Sequence, residues 1–229
     1  MTIPVVLCWS GGKDSALALD QLRREKTFEV VALLTTLSRE FERIAMHGVR
    51  RQLLELQAES IGIPLRQVWI SQGAGNAEYE AAMACELKRL HDQGVATVAF
   101  GDLFLQDIRQ YRERQMGELN MQPIFPIWGR NTQSLAQEFV NAGFRGLTTC
   151  IDTTALPESF CGRELTHEFF RELPTATDPC GENGEYHTFV FDGPSFSRPL
   201  EIRRGELHRD GQFLFRDITV DHPTSAETK

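Results

Sequence analysis

Two short stretches of the chain carry the residue types that chemistry needs. Ser10-Gly11-Gly12-Lys13-Asp14-Ser15 joins two glycines to a lysine, an aspartate and two serines. Glycines in such a turn let the backbone bend sharply and present its amides, and a helix that follows adds free N–H groups and the positive end of its dipole. Ser10, Ser15 and Lys13 supply further donors and a positive charge, so the segment suits a phosphate group. Taken alone, it is also what a tight strand-to-helix turn with a capped helix looks like. The second stretch, Cys180-Gly181-Glu182-Asn183-Gly184-Glu185-Tyr186-His187-Thr188, sets two glutamates beside a histidine in a glycine-rich loop that enters a strand. Carboxylates grouped in this way bind Mg²⁺, hold an ammonium or amine, or act as a base; the bland alternative is a solvated acidic loop.

The elements that must position these stretches are strands and helices in alternation. Ile3–Trp9 is short, apolar and β-branched, as a strand buried on both faces should be, and the glycine turn leads from it into a helix over Asp14–Arg24. Glu29–Thr36 reads as a second strand and His47–Ile61 as a second helix, closed by Gly62 and Pro64. A third pair follows, strand Leu65–Ile70 and helix Ala77–Asp92, and then strand Ala96–Phe100 runs into Gly101-Asp102. Such units predict an α/β fold with a doubly wound, Rossmann-like parallel sheet, its ligand site beyond the carboxyl ends of the strands. After about residue 120 the rhythm weakens: Gln122–Ile127 holds two prolines, Asn131–Ala142 reads as a short helix and Phe144–Ile151 as a strand. Tyr186–Asp192 and Leu200–Val220 read as antiparallel strands, the latter turning at Arg209-Asp210-Gly211. The expected organisation is a nucleotide-binding domain over 1–120, a smaller α+β substrate and catalytic region over 121–222, and a frayed tail at 223–229.

Composition narrows the partners. The chain has 229 residues, 41% of them apolar and 24% charged, which is ample for a sizeable core. Its formal net charge of −8, from 32 acidic and 24 basic residues, disfavours nucleic acid as a partner. The five cysteines, Cys8, Cys85, Cys150, Cys161 and Cys180, form no Cys-x-x-Cys pair, so that kind of zinc site is absent. No basic-then-apolar leader and no bilayer-length apolar run is present. The expectation is a reduced, cytoplasmic protein without a membrane partner, with a homodimer left open.

Neither common phosphate motif fits. A Walker A loop needs glycine where Leu7 stands and serine or threonine where Asp14 stands, and no G-x-G-x-x-G occurs at the turn. Ser10–Ser15 instead resembles the SGGxDS loop of the PP-loop ATP pyrophosphatases, which hold the β- and γ-phosphates while ATP is cleaved to AMP and pyrophosphate. Together with GENGEYHT at Gly181–Thr188, Met46-His47-Gly48-Val49, Gly101-Asp102, and Gln57-Ala58 through Gly62-Ile63-Pro64, it makes the chain similar to the diphthine–ammonia ligase (diphthamide synthase ATP-binding domain) family over about residues 5–200. Diphthamide-making members usually carry glycine in place of Asn183, a different pair in place of Tyr186-His187, and different wording in place of LFLQDIRQYRER at 103–114. In these features the chain resembles the bacterial branch, whose hosts lack the diphthamide-bearing elongation factor, which points to another acceptor.

The resemblance implies an adenine nucleotide α-hydrolase type of fold and an AMP-forming amide ligase using ATP, Mg²⁺ and free ammonium. An acceptor carboxylate, on a small molecule or a protein side chain, attacks the α-phosphate, and ammonia then displaces AMP. By that likeness Ser10, Gly11, Gly12 and Ser15 cradle pyrophosphate, Lys13 neutralises it and Asp14 faces Mg²⁺. Leu34 and Thr35 take the adenine, and His47, Gly101 and Asp102 reach ribose or phosphate. Glu182, Glu185 and His187 complete the catalytic set, the glutamates capturing ammonium and holding the acceptor. His47 and Asp102 also have structural readings, as helix caps. Cys180 lacks an evident partner for nucleophilic chemistry. Two other functions compete: a PP-loop tRNA-modifying enzyme, which calls for a basic face, and a sensor that holds ATP or AMP without turnover.

Overall fold

The computed structural model of the protein describes residues 2–44, 48–73 and 75–220. The first strand shows why the core forms where it does. In β1 (Ile3–Cys8) Val5 and Leu7 enter one apolar cluster while Val6, between them, enters a second on the opposite face. A strand apolar on both sides must lie between two layers of helices. It pairs in parallel with β2 (Phe28–Ser38) and with β4 (Thr97–Ala99), and the sheet is completed by β3 (Leu65–Ile70) beside β2 and β5 (Gln122–Ile124) beside β4. The order β3-β2-β1-β4-β5 is Rossmann-like and reverses between β1 and β4, which is where such sheets bind ligands.

Helices α1 (Lys13–Glu25), α2 (Arg51–Ile61) and α5 (Thr132–Asn141) cover one face through Leu17, Leu22, Leu53, Leu54, Leu135 and Phe139. Helices α3 (Asn76–Asp92) and α4 (Gln106–Glu118) cover the other through Met83, Leu87, Leu90 and Met116. A second sheet holds β6 (Arg145–Asp152), β7 (Tyr186–Asp192), β8 (Ile202–Asp210) and β9 (Phe213–Val220), antiparallel in the order β7-β6-β9-β8. Between β6 and β7 lie a short 3₁₀ turn, Glu158–Phe160, and α6 (His167–Glu172). Leu147, Tyr186, Phe189 and Leu214 of this sheet join the same cluster as β1 and α1. The two sheets thus share one core.

The first three strands and the helices that follow them lie close to where periodicity put them, and three local differences stand out along the chain. The second helix starts at Arg51 rather than at residue 47, because Gly48 is left-handed (φ 65°) and Arg50, its cap, is extended. His47 itself falls outside the described residues, as does the expected frayed tail at 223–229. The two-proline stretch yields a strand, β5, whose Pro123 is tolerated because the strand forms the edge of the sheet. The hairpin loop is Gly211-Gln212, one residue later than expected, since Asp210 still pairs with Phe213. No helix among the described residues is long and apolar enough to cross a membrane.

One buried side chain ties the glycine turn to the second sheet. Gln57, on α2, is fully buried; its Nε2 donates to the carbonyls of Gly11 (3.0 Å) and Val190 (2.5 Å), and its Oε1 accepts from Trp9 Nε1 (2.9 Å). Gln57→Ala leaves a cavity and three buried polar groups with one partner fewer. We expect it to lower the unfolding free energy in urea by about 3–5 kcal/mol. A loss below about 1 kcal/mol would show that the bridge holds nothing.

Candidate active site

The turn is shaped by what crowds it. β1 ends, the Trp9 amide donates to Leu34 O (2.7 Å), and the chain reverses through Ser10, Gly11 and Gly12 into α1. Gly11 sits at φ 76°, where a Cβ would meet Gln57 Oε1 and Leu54 Cδ2 at 2.8 Å, and a Cβ on Gly12 would lie 3.0 Å from Thr188 O. At Gly11 only glycine fits, at Gly12 a side chain would crowd β7, and the turn is held by docking: the Val190 amide donates to Gly11 O (2.9 Å) and the Lys13 amide to Thr188 Oγ1 (3.0 Å). Ser15 Oγ donates to Gly12 O (2.9 Å) and lies 3.3 Å from Ser10 Oγ, while Ser10 Oγ accepts from the Gly12 amide (3.3 Å). At the end of β4, Gly101 lets the strand approach α1 closely, since a Cβ would stand 3.1 Å from the carbonyl carbon of Asp14.

A cleft of about 550 Å³ opens at this edge, over the ends of β1, β2 and β4. Its walls include Ser10, Gly12, Lys13, Asp14 and Ser15 from the turn, Leu34 and Thr35 from β2, Gly101 and Asp102 after β4, and Glu182 and His187 from the acidic loop and β7. Two residues of the sequence-derived set stand apart: Gly11 lies behind the turn against Gln57, and Glu185 is turned into its own loop. His47 lies outside the described residues.

Lys13 is the electrostatic hinge of the cleft. It is 2% exposed; its Nζ donates to both Asp14 carboxylate oxygens (3.0 and 2.9 Å) and to the Cys180 carbonyl, and it lies 5.3 Å from the centre of the Tyr186 ring. Burial works against its charge, but Asp14, Cys180 and Tyr186 together outweigh that and hold the ammonium above its ordinary value. Burial raises the Asp14 carboxyl, with Lys13 opposing.

The acidic loop is held by its own carboxylates. Asp178 Oδ2 accepts from the amides of Cys180 (3.0 Å) and Glu182 (3.1 Å). Glu185 accepts from the Asp178 amide (2.9 Å), the Asn183 amide (3.0 Å) and Asn183 Nδ2 (3.0 Å). Glu182 instead reaches across the cleft, where its Oε1 accepts from the Leu103 amide (2.7 Å). Burial pushes its carboxyl up to about 7, against the pull of that amide. Burial likewise brings His187 down to about 4, leaving a neutral imidazole at pH 7. Cys180 is 1% exposed, its Sγ donates to Thr132 O (3.4 Å), and burial raises its thiol to about 12, so it stays protonated.

Sequence reasoning missed the wall made by Tyr79 and Met83 of α3 and by Ile108 and Arg112 of α4. The available signal was spacing: Tyr79 and Met83, like Ile108 and Arg112, stand four apart and so share a helix face. A resident Mg²⁺ asks for one or two carboxylates together with phosphate oxygens, and Asp14 at the mouth of the glycine turn fits that demand.

Stability should report the two shifted groups with opposite signs. Folded Glu182 keeps its proton to about pH 7 and an unfolded glutamate only to 4.5, so between those values the folded state binds more protons and stability falls as pH rises. His187 titrates near 4 folded and 6.5 unfolded, so there stability falls as pH falls. Glu182→Gln removes the first slope and leaves the second. Its unfolding free energy relative to wild type should rise by about 1–2 kcal/mol between about pH 5 and 7.5. A difference constant with pH would refute the shift at Glu182.

Comparison with known proteins places this geometry in a lineage. Models of the diphthamide synthase N-terminal domain and the diphthamide synthase C-terminal domain match residues 3–123 and 131–220. Diphthine–ammonia ligase from Danio rerio is 28% identical over 228 residues, covering 89% of each chain. The Homo sapiens diphthine–ammonia ligase is 25% identical over 222 residues, covering 86% of this chain and 82% of that one. A solved structure of the U34-tRNA thiolase NcsA from Methanococcus maripaludis aligns with TM-score 0.36 and 18% identity over 61% of this chain and 58% of that chain. With both domain models matched in order along nearly its whole length, the chain belongs to the diphthamide synthase family.

Proposed function

We propose that this ATP-dependent ligase adenylates an acceptor carboxylate, releasing pyrophosphate, and that ammonia then attacks the activated carbonyl, releasing AMP and a proton and leaving an amide. The observation that carries the reading is the joining of two chemically different segments across one cleft. Lys13 of the glycine turn holds the Cys180 carbonyl, and Glu182 of the acidic loop holds the Leu103 amide. A phosphate cradle and a carboxylate of near-neutral pKa thereby face the same space.

Ser10, Gly12 and Ser15, backed by Gly11, take the pyrophosphate portion, with the start of α1 adding its dipole. Lys13 offsets the negative charge of that end of the cleft, Asp14 and phosphate alike, while fixing the acidic loop. Asp14 and the phosphates would together hold Mg²⁺, which neutralises charge on the departing pyrophosphate. Leu34 and Thr35 take the adenine, and Gly101-Asp102, with His47, the ribose side. Glu182 takes the proton that ammonium must lose before nitrogen can attack, a task suited to a group poised near neutrality. His187, uncharged, lines the same space as an acceptor or donor of hydrogen bonds, and Glu185 supports the loop. In this scheme the region 1–120 binds nucleotide and 121–222 supplies acceptor and ammonia chemistry. The relatives act, by name, on diphthine; the departures at Asn183 and Tyr186-His187 favour a different acceptor here, on a small molecule or a protein side chain.

Phosphorus NMR of ATP with the protein, Mg²⁺, ammonium and a desalted cell-extract fraction tests the scheme. AMP and pyrophosphate should appear only when ammonium and a competent fraction are both present. Glu182→Gln should lower that rate about 10²–10⁴-fold and leave ATP affinity within about threefold. ADP and phosphate as products would overturn the scheme, and ATP that binds but stays intact with every fraction would make the protein a sensor.

A further inference from the structure

The cleft presents an imbalance of charge that the glycine turn does not relieve. Among the described residues lining it, Asp14, Asp102 and Glu182 are carboxylates, His187 is neutral, and Lys13 and Arg112 are the cations. The three N–H donors of the Lys13 ammonium have protein acceptors already, the two Asp14 oxygens and the Cys180 carbonyl. A guanidinium has five N–H donors, and among the described residues Arg112 donates from Nη1 to the Tyr79 hydroxyl at 3.3 Å.

We propose that Arg112 is an anion-binding residue of this cleft, its guanidinium taking an anionic oxygen pair of the ligand, a nucleotide phosphate or the acceptor carboxylate. The inference rests on the cleft being the ligase site proposed above. Three observations support it. Arg112 is pre-ordered, its Cζ standing 4.9 Å from the centre of the Phe100 ring and 5.9 Å from that of Tyr111. It is reachable, with 23% of its side chain exposed on the wall made by α3 and α4. Its partnership with Asp102 is incomplete: Nε lies 3.7 Å from Asp102 Oδ2, beyond hydrogen-bond length, and both atoms are buried without a hydrogen-bond partner. A guanidinium held open beside a cleft offers the planar, two-pronged geometry that carboxylate and phosphate oxygens match. Burial opposes its charge, but Tyr79 and Asp102 keep it protonated, above even the ordinary arginine value.

The test uses the full chain with Arg112→Met, Arg112→Lys and the double variant Asp102→Asn/Arg112→Met, which removes the carboxylate that the single change would strand. Calorimetric titrations with ATP, AMP, adenosine and inorganic pyrophosphate accompany AMP-formation assays against graded amounts of the extract fraction. If phosphate is the ligand group, both methionine variants lose at least about tenfold in ATP and AMP affinity, while Arg112→Met keeps adenosine within twofold. If the carboxylate is, the nucleotide affinities of Arg112→Met hold and the amount of fraction needed for half-maximal rate rises at least about tenfold. In either case Arg112→Lys, which keeps the charge and loses the fork, should fall between wild type and Arg112→Met. Adenosine weakening in parallel with ATP, or all these quantities staying within twofold, would overturn the proposal. Should wild type bind no nucleotide, the ligase reading fails separately. Pyrophosphate binding that depends on Arg112 would then still sustain the anion site, and its independence of Arg112 would overturn it.

Discussion

The Gly11 carbonyl accepts two hydrogen bonds, from the Val190 amide and from the buried amide of Gln57, and the arrangement of the molecule depends on that junction. Gln57 comes from α2 and reaches Val190 O on β7 as well, so a helix of the first sheet, the phosphate-type turn and a strand of the second sheet meet at one side chain. None of these groups has access to water, and an unmade bond there would cost about 1–3 kcal/mol. The turn is therefore held at two points along β7, Thr188 and Val190, and its conformation is set by the whole chain rather than by its own six residues.

That docking explains the electrostatics of the cleft. Because β7 lies against the turn, the acidic loop that precedes β7 is brought over Lys13, and the ammonium is sealed between Asp14, the Cys180 carbonyl and the Tyr186 ring. A lysine so enclosed contributes a fixed charge and little mobility. The same enclosure removes water from Glu182 and His187 and moves them in opposite directions, the acid up and the base down. His187 is then uncharged at pH 7 and Glu182 only partly ionised, which lets three carboxylates share one wall without full mutual repulsion. Arg112 balances what remains.

Much of this was legible in the sequence, for physical reasons that also mark where legibility ended. The central strands announce themselves because both of their faces are buried, as Val5 and Val6 show by entering different clusters. Helix α4 was not outlined, since Met116 is its one fully buried residue among thirteen and leaves almost no apolar stripe to read. Strand β5 was obscured by Pro123, which signals a break unless the edge position is known. At the site, the glycine turn and the acidic loop were visible because their chemistry is local. Arg112 and Tyr79 were not, because they join the cleft only through the tertiary approach of two helices whose own patterns are unremarkable.

The acidic loop shows most clearly why a motif is not a mechanism. Glu182 and Glu185 read as equivalent, two carboxylates in a glycine-rich segment. Folding separates them. Glu185 spends both its oxygens on N–H groups of Asp178 and Asn183, and so stabilises the turn. Glu182, whose own amide is anchored by Asp178, is swung outward and accepts the amide of Leu103 across the cleft. Asp178 thus touches both glutamates, its carboxylate holding the Glu182 amide and its own amide the Glu185 carboxylate. It does so through backbone amides, the kind of contact that leaves no trace in residue spacing.

A comparable division of labour holds at the other end of the cleft. Asp217, on β9, accepts from Arg43 (2.8 Å) and, on both its oxygens, from Arg50 (3.1 and 2.7 Å), two arginines that flank the segment carrying Ile44 into the cleft wall. Arg43 also donates to Gly48 O (2.7 Å), and the pair keeps the Asp217 carboxyl below its usual range despite partial burial. The second sheet therefore fixes both rims of the site, β7 at the glycine turn and β9 beside β2. A nucleotide cleft built from the first sheet alone would lack its walls, which is why the two halves of the chain are best understood as one chemical unit.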